Sequence, residues 1–80
     1  MNIEWRASRE FTGARVEDLF IDGRYAHSWI SYSTVEGWEA MIFPKNPYMN
    51  QFFQTKQEAK DRLIAHIVKE RLDAATRTTQ

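Results

Sequence analysis

The chain has 80 residues, 42% of them hydrophobic and 14% aromatic, with no cysteine and with 11 basic residues balancing 11 acidic ones. A domain of this size buries only about 60–65% of its unfolded surface, so it has room for one small core dense in aromatic side chains and none for a second domain. The lack of cysteine excludes disulfide staples and thiolate chemistry and suits a reducing compartment; no apolar run approaches the ~20 residues of a membrane span and no basic-then-apolar leader opens the chain, so the expected location is cytoplasmic.

The zero net charge hides an asymmetry. Residues 1–40 carry four basic against seven acidic side chains, and residues 41–80 carry seven against four. A protein that works through phosphate contacts shows a clear basic excess, so this balance counts against non-specific nucleic-acid binding.

Ile3, Trp5 and Ala7 alternate with Glu4, Arg6 and Ser8, which predicts a strand over residues 3–9. Phe11-Thr12-Gly13 reads as a turn, because Gly13 can take a positive φ. A second strand is expected from Ala14 to Ile21. Asp22-Gly23 then favours a two-residue hairpin loop, since the primed turns need positive φ at their central positions. The third strand runs from Arg24 to Ser33. A looser turn at Thr34-Val35-Glu36-Gly37 leads to the fourth, Trp38 to Phe43.

The hairpin loop implies a register. Ile21 pairs with Arg24, Phe20 with Tyr25, Leu19 with Ala26, Asp18 with His27 and Val16 with Trp29. One face then carries Leu19, Ile21, Ala26, Ser28, Ile30 and Tyr32. The other carries Val16, Asp18, Phe20, Tyr25, His27 and Trp29. Both faces are apolar enough to be core; the small Ala26 and Ser28 favour a helix on the first, which leaves the aromatic second face open.

Pro44-Lys45-Asn46-Pro47-Tyr48-Met49-Asn50 is a loop, because neither proline can donate to a ladder and each restricts its predecessor. Thr55 with Glu58 three residues later forms a capping-box signature. After it Ala59, Leu63, Ile64, Ile67, Val68 and Leu72 recur at helical spacing, one apolar stripe on a helix from 55 to about 74. The expected fold is therefore α+β. A small antiparallel sheet of three to four strands is followed by one C-terminal amphipathic helix packed on one face, ββββα. Residues 1–75 form a single domain and 76–80 a disordered tail with nothing to bury.

Trp38-Glu39-Ala40-Met41-Ile42, followed by Phe53-Gln54-Thr55-Lys56-Gln57-Glu58-Ala59-Lys60, resembles two families. These are the sheet-plus-helix DNA-binding domains of plant ethylene-response factors and the arm-binding segments of phage-type integrases. Those carry a Trp-x-Ala-x-aliphatic strand and a Phe-x-Thr-x-x-Glu-Ala helix start. The likeness spans residues 24–72. It implies DNA contact through the sheet face away from the helix, made by Arg and Trp. This chain departs from that pattern: Arg24 is the one basic residue on the third and fourth strands, and Glu39 stands where positive charge is wanted. Double-stranded-RNA-binding domains end in a similar sheet and helix, but they begin with a helix, where this chain alternates like a strand.

Catalytic signals are sparse. Asp18 and His27, facing across the hairpin, would suit a general base and its orienter, yet a surface hydrogen-bonded pair accounts for them with fewer assumptions. His66 and Glu70 lie one helical turn apart, enough for two metal ligands, or for a helix-surface pair. Ser28, Ser31 and Ser33 lack an elbow glycine, and the three glycines are isolated, so no loop cradles a phosphate. No cofactor is implied, and enzyme is the least supported class. Tyr48 and Met49 read either as an exposed loop tip or as a lid folded onto the core.

A near-neutral, cysteine-free, aromatic-rich domain suits a stoichiometric inhibitor or adaptor that binds a protein partner. The resemblance points to a phage or mobile-element origin, where inhibitors of host nucleic-acid defence proteins are one class. The expected partner surface is Arg24, Tyr25, His27 and Trp29, joined by Tyr48. Sequence-specific DNA binding through Arg6, Arg9, Arg15 and Arg24 beside Trp29 is the alternative, and a structural or homodimeric subunit the third reading.

Overall fold

Alternation along the first half of the chain produces four strands: β1 (Ile3–Ala7), β2 (Val16–Ile21), β3 (Arg24–Ser33) and β4 (Gly37–Ile42). They form one antiparallel sheet in the order β1-β2-β3-β4, followed by the helix α1 (Lys56–Thr78). The computed structural model describes residues 1–8 and 15–78, with side chains to residue 75, so the turn expected at Phe11-Thr12-Gly13 and the start of the second strand at Ala14 lie outside the described residues. The arrangement is the expected ββββα.

Asp22 and Gly23 have φ of 52° and 80°, both positive as a type I′ turn requires, and Ile21 pairs with Arg24 across it. Asp22 also fastens the start of β1. Its N–H donates to the Asn2 carbonyl at 2.8 Å, and its Oδ1 accepts the Asn2 N–H at 2.8 Å.

The register holds only at the turn. Phe20 faces Tyr25 as expected, but the ladder then shifts, so Asp18 faces Trp29, Glu17 faces Ile30 and Val16 faces Ser31. The expected pairs Asp18–His27 and Val16–Trp29 are thereby corrected, and Leu19 falls at the shift itself. The cause is a bulge: His27 sits in the left-handed region at φ 53° and β3 gains two residues over β2 there. A shift of two keeps every side chain on its expected face, because strand side chains alternate with period two. Inside the bulge the buried Ser28 hydroxyl donates to the Ala26 carbonyl at 3.1 Å.

The helix covers the first face. Leu19, Ile21, Ile30 and Ala40 of the sheet are buried with Ala59 and Leu63 of α1, and Ile3, Trp5, Ala26, Trp38, Ile42, Tyr48, Phe53 and Ile67 pack around them. Small Ala26, Ser28 and Ala40 let the helix approach β3 and β4, the strands it contacts. Toward β2 and β1 its lysines do the covering. The Lys60 ammonium lies 5.0 Å from the Trp5 ring centroid and 3.1 Å from Glu17 Oε1, and Lys56 pairs with the other Glu17 oxygen.

At the helix start the Glu58 N–H donates to Thr55 Oγ1 at 3.1 Å, so the backbone half of the capping box is formed. At its far end the stripe runs past the sheet: Leu72 is 63% exposed, and α1 continues to Thr78, three residues into the stretch expected to be a tail. At the sheet's other edge the strand Trp38 exchanges two backbone hydrogen bonds with Phe53, of 2.9 and 2.7 Å. This bridge brings residues 51–54 against β4.

Candidate functional site: the open face of the sheet

With α1 on one face, the described residues leave the opposite face of the sheet uncovered. Period-two alternation puts Glu4 and Arg6 of β1 there, with Val16, Asp18 and Phe20 of β2, Tyr25, His27, Trp29 and Ser31 of β3, and Glu39 and Met41 of β4. An aromatic row crosses it. The Arg6 guanidinium sits 4.1 Å from the Phe20 centroid, the Phe20 and Tyr25 rings are 5.7 Å apart, and Tyr25 and His27 are 5.0 Å apart. Trp29 lies between Asp18 and Met41 in the register and is half-buried by its own neighbours.

The row follows from local structure. Phe20 and Tyr25 are the non-hydrophobic-core partners next to a tight turn, where cross-strand side chains approach closely. His27, within the bulge, keeps its ring against Tyr25 on this face. Arg6 is held by a same-strand carboxylate, Glu4 Oε2 at 2.9 Å, which keeps the guanidinium over Phe20. The hydrogen bond from Arg6, aided by its charge, lowers the Glu4 carboxyl below its ordinary range.

Of the residues expected to form the partner surface, Tyr25, His27 and Trp29 come together on this face. Arg24 is exposed at the hairpin end, lining a cleft between the hairpin and α1. Tyr48 lies elsewhere: its hydroxyl donates to the Arg62 carbonyl of α1 at 3.1 Å, and its ring meets Phe53 and His66 edge-on at 6.2 and 5.7 Å. It is the lid on the helix side of the core, while its neighbour Met49 is 69% exposed. Sequence reasoning named Arg6 for the DNA alternative alone, and it missed Met41 and Phe43 as members or neighbours of the open face. Arg6 was legible, since it alternates with Trp5. Phe43 was not: its N–H donates to the His27 carbonyl at 3.0 Å, and it is 66% exposed just past the end of β4.

Among the described residues the face is mixed in charge, with the carboxylates of Glu4, Asp18 and Glu39 against the guanidinium of Arg6. The register separates His27 from Asp18, the pair expected to face each other, and His66 Nε2 lies 3.2 Å from Glu70 on the helix. Among the described residues no group of three or more His, Cys, Asp or Glu gathers as metal ligands, and no helix is long and apolar enough to cross a membrane. Compared with protein-family descriptions, curated proteins and solved structures, the chain matches none.

Proposed function

We propose that the chain is a non-enzymatic binding module that docks a protein partner on the open face of its sheet. The observation that carries this reading is the row Arg6, Phe20, Tyr25, His27, with Trp29 beside it, on a face where carboxylates outnumber guanidinium groups. Trp, Tyr and Arg are the side chains that dominate protein–protein binding energy. The acidic rim disfavours a phosphate backbone, which needs several cations aimed at it. The narrower version, an inhibitor or adaptor of phage type that masks a host nucleic-acid defence protein, rests on composition and on the resemblance alone.

The test is capture of the partner from cell extract by the tagged chain and by Trp29→Ala and Tyr25→Ala variants, with and without nuclease. The expected outcome is a stoichiometric protein that survives nuclease, is lost from both variants by about 2 kcal/mol or more of binding energy, and leaves their thermal midpoints close to the parent's. Capture that nuclease abolishes would favour DNA contact through the same face. Self-association alone, seen by sedimentation and broken by Trp29→Ala, would favour the homodimeric subunit.

A further inference from the structure

The hairpin end of the sheet and the second half of α1 enclose an open cleft of ≈ 870 Å³. Ile21, Ala26 and Ile67 line it with apolar surface, and Asp22, Arg24, Glu70 and Arg71 supply its charges. The two carboxylates already have partners. Asp22 Oδ1 accepts the Asn2 N–H at 2.8 Å, and Glu70 Oε1 lies 3.2 Å from His66 Nε2. The two guanidinium groups do not: among the described residues neither Arg24 nor Arg71 makes an ion pair, a side-chain hydrogen bond or a ring contact. Two unengaged cations beside an apolar surface are complementary to a ligand that carries carboxylates around an aliphatic side chain. Tyr25 and His27 also line the cleft, so it is continuous with the open sheet face.

We propose that this cleft seats an acidic peptide segment of the protein partner, with Arg24 and Arg71 each taking a carboxylate and an aliphatic side chain resting on Ile21, Ala26 and Ile67. Arginine suits the role because its planar fork meets a carboxylate with two parallel hydrogen bonds. A peptide fits better than a nucleic-acid backbone. The apolar surface between the two arms offers a phosphate chain nothing, whereas an aliphatic side chain of a peptide can rest on it. The source of the segment rests on the protein-docking reading above; the chemistry of the cleft does not.

The test is a titration of the full ¹⁵N-labelled chain at low salt, followed by amide shifts. The probes are a doubly capped Glu-Glu-Leu-Glu-Glu peptide, its Lys-Lys-Leu-Lys-Lys counterpart, inorganic phosphate and a short DNA duplex. The acidic peptide is expected to give saturable shifts at Arg24, Ala26, Ile67 and Arg71, weakened about tenfold or more in Arg24→Glu/Arg71→Glu and less in Arg24→Gln/Arg71→Gln. Both pairs of changes are at exposed positions, and a dispersed spectrum checks that each variant is folded. Equal shifts from the basic peptide, no shifts at the cleft, undiminished binding by the charge-reversed variant, or stronger cleft shifts from phosphate or duplex would each overturn the proposal. The capture experiment tests the open face through Trp29 and Tyr25, and this titration tests the cleft through Arg24 and Arg71 with a defined peptide, so a failure of the open-face reading stays separate from a failure here.

Discussion

Of the two described glycines, Gly37 is the one whose replacement the backbone tolerates less. It has φ of 101°, and a Cβ there would stand 2.7 Å from the Phe53 carbonyl oxygen. That oxygen is main chain and accepts the Trp38 N–H, so it cannot swing aside. Gly37→Ala is expected to cost about 2–4 kcal/mol, adding left-handed strain to a lost backbone bridge, read as a lower urea midpoint. Gly23, at φ 80° with nothing near, shares the strain but not the collision. Glu17 is the residue whose charge matters most. Burial raises its carboxyl's pKa, but the hydrogen bonds and charges of Lys56 and Lys60 outweigh that, and the net effect is a lowering. A group lowered in the folded state stabilises above its unfolded value, about 4.3 for glutamate, and the stabilisation is lost as pH falls through the lower folded value. Glu17→Gln is expected to cost about 1–3 kcal/mol at neutral pH, and to flatten the acid limb of a stability–pH curve measured by denaturation. An unchanged acid limb would mean that the pair contributes nothing.

At the scale of elements, α1 is held by its first half. Ala59 and Leu63 are fully buried, Ile67 packs at the margin and Leu72 is 63% exposed. Leu63→Ala is therefore expected to cost about 2–5 kcal/mol and Leu72→Ala no more than about 0.5 kcal/mol, compared by chemical denaturation. Thr55→Ala, which leaves the Glu58 N–H without its cap, is expected to cost about 1 kcal/mol. In the β2–β3 hairpin the strained point is His27, at φ 53° inside the bulge. His27→Asn is expected to fold normally, since Asn tolerates the left-handed region, whereas the β-branched His27→Val should lose about 1–2 kcal/mol. Equal midpoints for the two would show that the bulge relaxes.

For the whole molecule the governing quantity is how charge is distributed over the two sides of the sheet. The helix side gathers Lys56 and Lys60 onto Glu17, and the open side carries three carboxylates against Arg6. Among the described residues neither side gathers its cations into a surface broad enough to follow a duplex. Random duplex DNA is accordingly expected to bind no tighter than about micromolar at physiological salt, with a shallow dependence of log K on log salt. A steep slope in a fluorescence titration would overturn the preference for a protein partner.

The features legible along the chain are those whose signals are local. The type I′ turn needs positive φ at two adjacent residues, and Asp22-Gly23 supplies it within two positions. The helix start needs a hydroxyl at the cap, and Thr55 is there with the apolar stripe behind it. Period-two alternation assigned Tyr25, His27 and Trp29 to one face, and small Ala26 and Ser28 pointed to the face α1 covers; that assignment survived even though the register slipped. Tertiary structure decided the rest. The slip by two residues at His27 leaves no mark in the hydrophobic pattern, because a shift of two preserves it. Tyr48 went to the helix because the Arg62 carbonyl lies within reach of its hydroxyl, a neighbour 14 residues away that no local signal names. Arg24 and Arg71 were brought to the same cleft by the length of α1 past the hairpin, a meeting of charges that only packing can arrange.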